Sequence, residues 1–280
     1  MPLPTEFFKM SAAGNDFILF DGRSDAIPSE AMPGFARQLC ARALSVGADG
    51  VIVVERSTRA DIRATFYNPD GGLTFCGNGG RCAARLAYLQ GMAPARMTVE
   101  TVEGILRADI LEQDVSFEMP SPTNLQEGVV VEAAGRSWSG TFLDTGVPHF
   151  VTLVDRPMTG PIEPVAVELR RHRRFGAEGT NVNFVYVAEA GGISIRSYER
   201  GVEAETLACA TGCTAAALAL AIAGRARAPV TLRTQSGASI AVRFEGDPRR
   251  AAGVRVEGEA RLVFVGHLAD EAVRGLSSGV

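Results

Sequence analysis

Three short patterns recur in this chain at a single interval. Cys76-x-x-Gly79 is matched by Cys209-x-x-Gly212, the strand-opening pair Asp16-Phe17 by His149-Phe150, and Thr101-x-x-Gly104 by Thr234-x-x-Gly237, each time 133 residues further on. An interval of that length is the size of a whole domain, so the pattern describes one topology used twice in tandem. Alternating, β-branched segments predict strands over 16–20, 50–54, 62–67, 97–101, 105–111 and 115–119 in the first copy. In the second copy they predict strands over 128–132, 141–143, 149–154, 182–187, 193–198, 230–234, 239–244 and 254–256. Helical spacing covers only 29–43, 80–89, 164–173 and 212–226, two segments per copy. Short glycine-bearing turns such as 102–104 and 235–237 favour antiparallel hairpins. The expected class is α/β (α+β) with two pseudo-symmetric homologous domains and a mainly antiparallel sheet in each. The boundaries fall at 1–122 plus 262–280 and at 123–261, with Pro120, Pro122 and Asn124 marking the linker. The tail after Glu259 has no partner left in the second copy and is expected to return to the first.

Charge and leader signals remove several classes of function. A net charge of -4 argues against a general nucleic-acid binder. The basic cluster of Arg170, Arg171, His172, Arg173 and Arg174 is too short for a phosphate track and reads as a solvated helix face. The amino terminus lacks an apolar core of signal-peptide length, and the alanine-rich run 215–223 is too short to span a bilayer. A soluble cytoplasmic protein is therefore expected, with no membrane or nucleic-acid partner. Five cysteines, an odd number, do not form a secreted disulfide framework and read as reduced thiols.

Cys76 and Cys209 each stand just before an alanine-rich helix. The first N–H groups of a helix lack internal partners, and the positive end of the dipole lowers a thiol pKa and attracts a carboxylate. A duplicated fold closed on itself would set the two helix ends face to face across an interdomain cleft. One thiolate could then remove a proton from a carbon while the other thiol donates one to the opposite face, inverting a stereocentre. Against this stand blander readings. A buried cysteine is usually a small hydrophobe, and Cys40, Cys82 and Cys213 are read that way. The spacings Cys-x5-Cys and Cys-x3-Cys do not match structural zinc sites, so no metal is expected. A cysteine hydrolase would need a histidine partner and would leave the second matched thiol unexplained.

Six blocks of residues then stand in one family's order. They are Lys9-Met10 with Gly14-Asn15-Asp16-Phe17; Asn68-Pro69-Asp70-Gly71; Cys76-Gly77-Asn78-Gly79 with Arg81-Cys82; Gly146 with Pro148-His149; Gly179-Thr180-Asn181-Val182-Asn183-Phe184; and Glu199-Arg200-Gly201 leading to Glu205-Thr206 and Ala208-Cys209. Over nearly its whole length the chain resembles diaminopimelate epimerase, a cofactor-independent amino-acid epimerase. The resemblance implies a barrel-like sheet around a central helix in each domain and a substrate enclosed between the domains. It implies interconversion of L,L- and meso-diaminopimelate, a step of lysine and peptidoglycan-precursor synthesis, without pyridoxal phosphate. Cys209 would be the base toward the L,L substrate and Cys76 the acid on the opposite face. Backbone N–H groups of Gly77, Asn78, Ala210 and Thr211 would hold the reacting carboxylate, and Asn15, Asn68, Asn181 and Arg200 would orient the amino and distal groups. Glu199 also counts among the substrate-binding residues, and His149 and Glu199 would tune the thiols.

The expected partner is a small-molecule substrate, and a homodimer is allowed. Val147 and Gly50 depart from the family's common asparagine and glutamine, Ala210 replaces a common glycine, and the 201–205 loop is one residue longer. These departures bear on the distal end of the substrate rather than on inversion. The alternatives are a racemase of another amino acid such as histidine, a non-catalytic amino-acid binding protein, and a phenazine-type isomerase of similar duplicated fold.

Overall fold

The structure is a computed structural model in which residues 6–23 and 28–273 are described. Parts of the expected first domain, 1–5, 24–27 and 274–280, lie outside the described residues. Two compact units emerge, one up to Phe117 together with the residues from Glu259 onward, the other Glu118–Gly258.

The first unit carries β1 (Glu6–Ala12), β2 (Asn15–Asp21), α1 (Met32–Cys40), β3 (Gly50–Glu55), β4 (Ile62–Tyr67), α2 (Gly77–Leu89), β5 (Arg96–Thr101), β6 (Gly104–Leu111) and β7 (Asp114–Glu118). The second carries β8 (Thr123–Ala133), β9 (Arg136–Asp144), β10 (Pro148–Val154), α3 (Glu163–Arg170), β11 (Asn181–Val187), β12 (Ile193–Glu199), β13 (Ala204–Thr206), α4 (Ala210–Ile222), β14 (Val230–Arg233), β15 (Ser239–Glu245) and β16 (Ala252–Glu259). A last strand, β17 (Arg261–His267), pairs antiparallel with β1, so the tail completes the first unit.

The two units share one strand order. In the first, β17, β1, β2, β3, β4, β5, β6 and β7 pair in succession, with β2–β3 and β4–β5 parallel and the rest antiparallel. In the second, β8, β9, β10, β11, β12, β14, β15 and β16 repeat that succession, with β10–β11 and β12–β14 parallel. Parallel neighbours need a crossover, usually a helix, and this accounts for the four α-helices among the described residues. Helices α1 and α3 bridge the first parallel pair of their unit, and α2 and α4 the second. The sheet is therefore mixed, which the glycine turns alone did not reveal.

Helices α2 and α4 both run 13 residues and begin 133 residues apart. Helix α2 packs on β1 to β6 and β17; α4 packs on β9 to β12, β14 and β15. Every residue from Ala210 to Leu220 is buried, as expected for a helix apolar on all sides. Helices α1 and α3 cover the opposite sheet faces: Phe35 and Leu39 pack against Ile18, Phe20, Val51 and Val53, and Ile162, Ala166 and Leu169 against Phe150, Val182 and Phe184. With helices on both faces, β2 buries both of its sides, which explains its unbroken apolar run Phe17-Ile18-Leu19-Phe20.

Several boundaries differ from those expected. Helix α2 starts at Gly77 rather than at 80, because Gly79 and Gly80 lie where Phe66 and Phe117 fill the space of a side chain: a Cβ on Gly80 would sit 2.5 Å from the Phe117 ring. That packing offsets the helix penalty of each glycine, about 1 kcal/mol. Helix α4 likewise starts at Ala210, and α1 and α3 are shorter than their periodic segments. Asn124, expected in a linker, lies within β8 at an irregular stretch of register with a positive φ of 52°.

Candidate active site

Cys76 and Cys209 are the N-caps of α2 and α4. Each has extended backbone, and each sulfur accepts the N–H of the glycine three residues on, Gly79 at 3.4 Å and Gly212 at 3.3 Å. A sulfur so placed stands in for the oxygen of an ordinary capping residue and feels the positive helix end. The duplication thus reproduces the same local geometry twice.

The surroundings of the two thiols differ. In the first unit Asn15 opens β2, and its Oδ1 lies 3.7 Å from Cys76 Sγ, the thiol donating, and accepts Asn78 Nδ2 at 3.1 Å. Asn78 is held by the fully buried Arg81, whose Nη2 donates to Asn78 Oδ1 at 2.6 Å. Asn15 is held from below by Asp49, which accepts Asn15 Nδ2 at 2.5 Å and the Asp16 N–H at 3.2 Å on one oxygen and Arg42 Nη2 at 2.8 Å on the other. Lys9 and Arg42 also pair with Asp16. Burial pushes the Asp16 carboxyl up, but hydrogen bonds from Arg42 and Lys9 carry it below the ordinary range. Asp49 therefore decides which way the Asn15 amide faces, and an acceptor facing Cys76 favours the thiol form. Sequence reading missed Asp49; its only signal was an acidic residue directly before β3.

In the second unit Cys209 is 5% exposed, with Thr211 Oγ1 3.2 Å from its sulfur. Burial and the Glu199 carboxylate push its pKa well up, while hydrogen bonds from Thr211 and the Gly212 N–H pull the other way. Glu199 ends β12 and accepts a short hydrogen bond from the Thr206 hydroxyl. Asn181 opens β11 and is engaged with backbone on both sides: Nδ2 donates to Pro148 O at 2.9 Å, and Oδ1 accepts the Arg200 N–H at 2.7 Å. Its place is thus to fix the backbone at Arg200. The Arg200 guanidinium lies 3.9 Å from the exposed Glu178, a long and screened pair. Asn68 sits half-buried in the turn after β4, its backbone bonded to Gly71 and Gly72. Gly50 cannot carry a side chain without a shift, because its Cβ would meet Phe66 at 2.7 Å and Tyr67 O at 2.9 Å.

His149, fully buried in β10, packs beside Asn183, whose Nδ2 lies 3.0 Å from its Nδ1. Burial, reinforced by the positive Arg200, lowers its pKa from 6.5 to about 3, so the ring is neutral in the folded protein. The unfolded chain takes up a proton below pH 6.5 that the folded chain refuses down to about pH 3. Stability is therefore lost as pH falls through that window, by at most about 1.4 kcal/mol per unit from this ring. Denaturant unfolding at pH 7, 6 and 5 should show the wild type losing about one proton's worth more slope than His149→Gln; equal slopes would contradict a buried neutral ring.

Among the described residues no group of three or more His, Cys, Asp or Glu side chains is placed to hold a metal ion, and no helix is long and apolar enough to cross a membrane.

The sequence model of the diaminopimelate epimerase family matches residues 7–125 and 141–263. A diaminopimelate epimerase of Aquifex aeolicus is 35% identical, the alignment covering 96% of this chain and 99% of that one. One from Hydrogenobaculum is 37% identical over 94% of this chain and 98% of its own length. Among solved structures, a phenazine biosynthesis protein of Bacillus anthracis shares the fold with a TM-score of 0.74 at 14% identity, covering 96% of this chain and 100% of that one. A probable proline racemase from Agrobacterium radiobacter does so at 0.69 and 17% identity, covering 98% and 95%.

Proposed function

Because the chain belongs to the diaminopimelate epimerase family, we propose that it inverts one α-carbon of L,L-diaminopimelate to give the meso isomer, using two cysteines and no pyridoxal cofactor. The observation that carries this reading is the pair of helix-capping thiols with matching Sγ···H–N geometry. The first-turn N–H groups of Gly77 and Asn78 and of Ala210 and Thr211 are suited to the substrate carboxylate, since helix N-termini bind anions. Carboxylate charge held there draws off negative charge as the α-carbon loses its proton, which lowers the barrier in the manner of an oxyanion hole.

Cys209 removes the α-proton of the L,L substrate, and Cys76 delivers a proton to the opposite face. The local chemistry supports that division. Cys76 faces an acceptor, Asn15 Oδ1, which suits a proton donor. Cys209 has the Gly212 N–H and the Thr211 hydroxyl to stabilise a thiolate, but burial and Glu199 keep it protonated in the unliganded chain. The cationic ammonium of an arriving amino acid offsets that penalty, so the base forms as substrate binds. Arg200 suits the distal carboxylate because its planar fork can pair with two oxygens. We assign the reaction to the cytoplasm, a reducing compartment consistent with five cysteines present as thiols.

The test is proton NMR of L,L-diaminopimelate with the reduced protein in heavy water. The α-proton signal should vanish as the meso isomer accumulates. Inversion without deuterium uptake would defeat the two-thiol mechanism, and activity on histidine but not diaminopimelate would move the substrate to another amino acid.

A further inference from the structure

His149 has two ring nitrogens, and the structure accounts for one of them. Nδ1 faces Asn183 Nδ2 at 3.0 Å; an amide nitrogen only donates, so Nδ1 accepts and the neutral ring carries its proton on Nε2. The amide cannot be reversed at no cost. Asn183 Oδ1 accepts the Ser197 hydroxyl at 2.8 Å, and Nδ2 also lies 3.4 Å from Phe150 O, so a flipped amide would set two acceptor oxygens against each other. Among the described residues Nε2, although buried, has no hydrogen-bond partner. A buried N–H without an acceptor is costly and calls for a reason.

The first unit shows that the fold itself does not require this arrangement. A Cβ on Gly79 would lie 3.1 Å from Ile52 Cδ1, and a Cβ on the matching Gly212 would lie 2.4 Å from Asn183 Oδ1. Asn183 of β11 thus stands under α4 where Ile52 of β3 stands under α2. An apolar side chain packs that place in one copy, so the amide in the other serves something the first copy lacks, and what it touches is the imidazole.

We propose that Asn183 is a positioning residue that locks His149 as the neutral Nε2–H tautomer, making the ring a fixed hydrogen-bond donor to an anionic acceptor formed or brought by ligand binding. The acceptor's part in turnover rests on the epimerase reading; the lock does not. The elements packed on β10 bring few ionisable groups to this end: α4 the Cys209 thiol, β9 Asp144, whose Oδ1 takes the Gly146 N–H at 2.9 Å, and the turn after β12 the Arg200 guanidinium. None of these supplies a carboxylate to Nδ1, so nothing competes with the amide for control of the proton.

Nitrogen-15 NMR of histidine-labelled protein reads the lock directly, with His149→Gln assigning one of three imidazoles. The ring is expected to stay neutral, with its proton on Nε2, from about pH 5 to 9. Asn183→Asp places a carboxylate that must accept from Nδ1, which moves the proton and yields a ring that titrates within that range. The kcat for inversion should then fall on the order of 10²-fold, the usual cost of one oriented donor, with KM nearly unchanged and a new limb in the pH profile. Asn183→Leu, which puts an aliphatic side chain where Ile52 stands in the first copy, fills the same space and should give mixed tautomers and a similar loss. Diaminopimelate added to Cys209→Ala separates the acceptors: a shift of Nε2 that persists means the substrate carboxylate, and one seen only in wild type means the thiolate. A wild-type ring protonated on Nδ1, or titrating in the range, overturns the proposal, as does wild-type kcat in both Asn183 variants. The NMR reading needs no turnover, so failure of the exchange assay would sink the proposed function and leave the lock standing.

Discussion

Alanine at Cys209 should lower inversion of L,L-diaminopimelate by about 10³-fold, near 4 kcal/mol of transition-state stabilisation, and alanine at Cys76 should do the same. The two variants part company in exchange. With Cys76 removed, Cys209 can still take the α-proton of the L,L isomer and return a solvent proton to the same face, so deuterium enters without inversion. With Cys209 removed, the L,L isomer should be inert, while the opposite configuration exchanges through Cys76. That mirror pattern assigns each sulfur to one face of the carbon. If both variants lose exchange from both configurations equally, or either keeps full rate, the division of labour is wrong. Circular dichroism follows inversion and mass spectrometry follows deuterium.

Gly212→Ala should damage the second unit at the cysteine itself. Its Cβ would lie 2.4 Å from Asn183 Oδ1 and 3.3 Å from Cys209 Sγ. The amide oxygen cannot swing aside, because Ser197 holds it and the amide nitrogen is committed to His149. Either the buried network breaks or the first turn of α4 tips away. The expected cost is about 3 kcal/mol of unfolding free energy from overpacking and lost buried hydrogen bonds. Displacement of the Cys209 sulfur should also cut kcat by about 10²-fold. Gly79→Ala, which meets the Phe66 ring edge at 2.9 Å and the Ile52 methyl at 3.1 Å, should cost less because the overlap is smaller and no buried hydrogen bond is broken. Gly192→Ala, with nothing within 4 Å, should be neutral within about 0.5 kcal/mol. Urea unfolding and steady-state kinetics of the three check the order; a neutral Gly212→Ala would mean that the helix start and the network are not rigidly coupled.

Much of the fold could be read along the chain because alternation and helical spacing are local. Strand β4 appears over the residues expected, and every predicted strand is present. The three strands that were missed carry no such signal. Strand β1 is buried on both sides and includes Lys9, paired with Asp16, so it does not alternate. Strand β17 is exposed on nearly all its length and owes its state to pairing with β1. Strand β13, three residues long, exists only as the edge partner of β12. The parallel pairs were hidden for a related reason, since the sense of a pair depends on where a crossover helix returns the chain.

From the order of its residues alone this chain declares a duplicated topology and two glycine-flanked cysteines before helices, because repeats, turns and caps are set by neighbours a few positions away. The chemistry around those cysteines was settled elsewhere. Asp49 turns the Asn15 amide from 34 residues away, and Asn183 sets the His149 proton from another 34. Such bonds join strands and loops distant in the chain, so their partners are chosen by packing, and burial, which only the folded chain has, decides that the imidazole is neutral and the Cys209 thiol protonated.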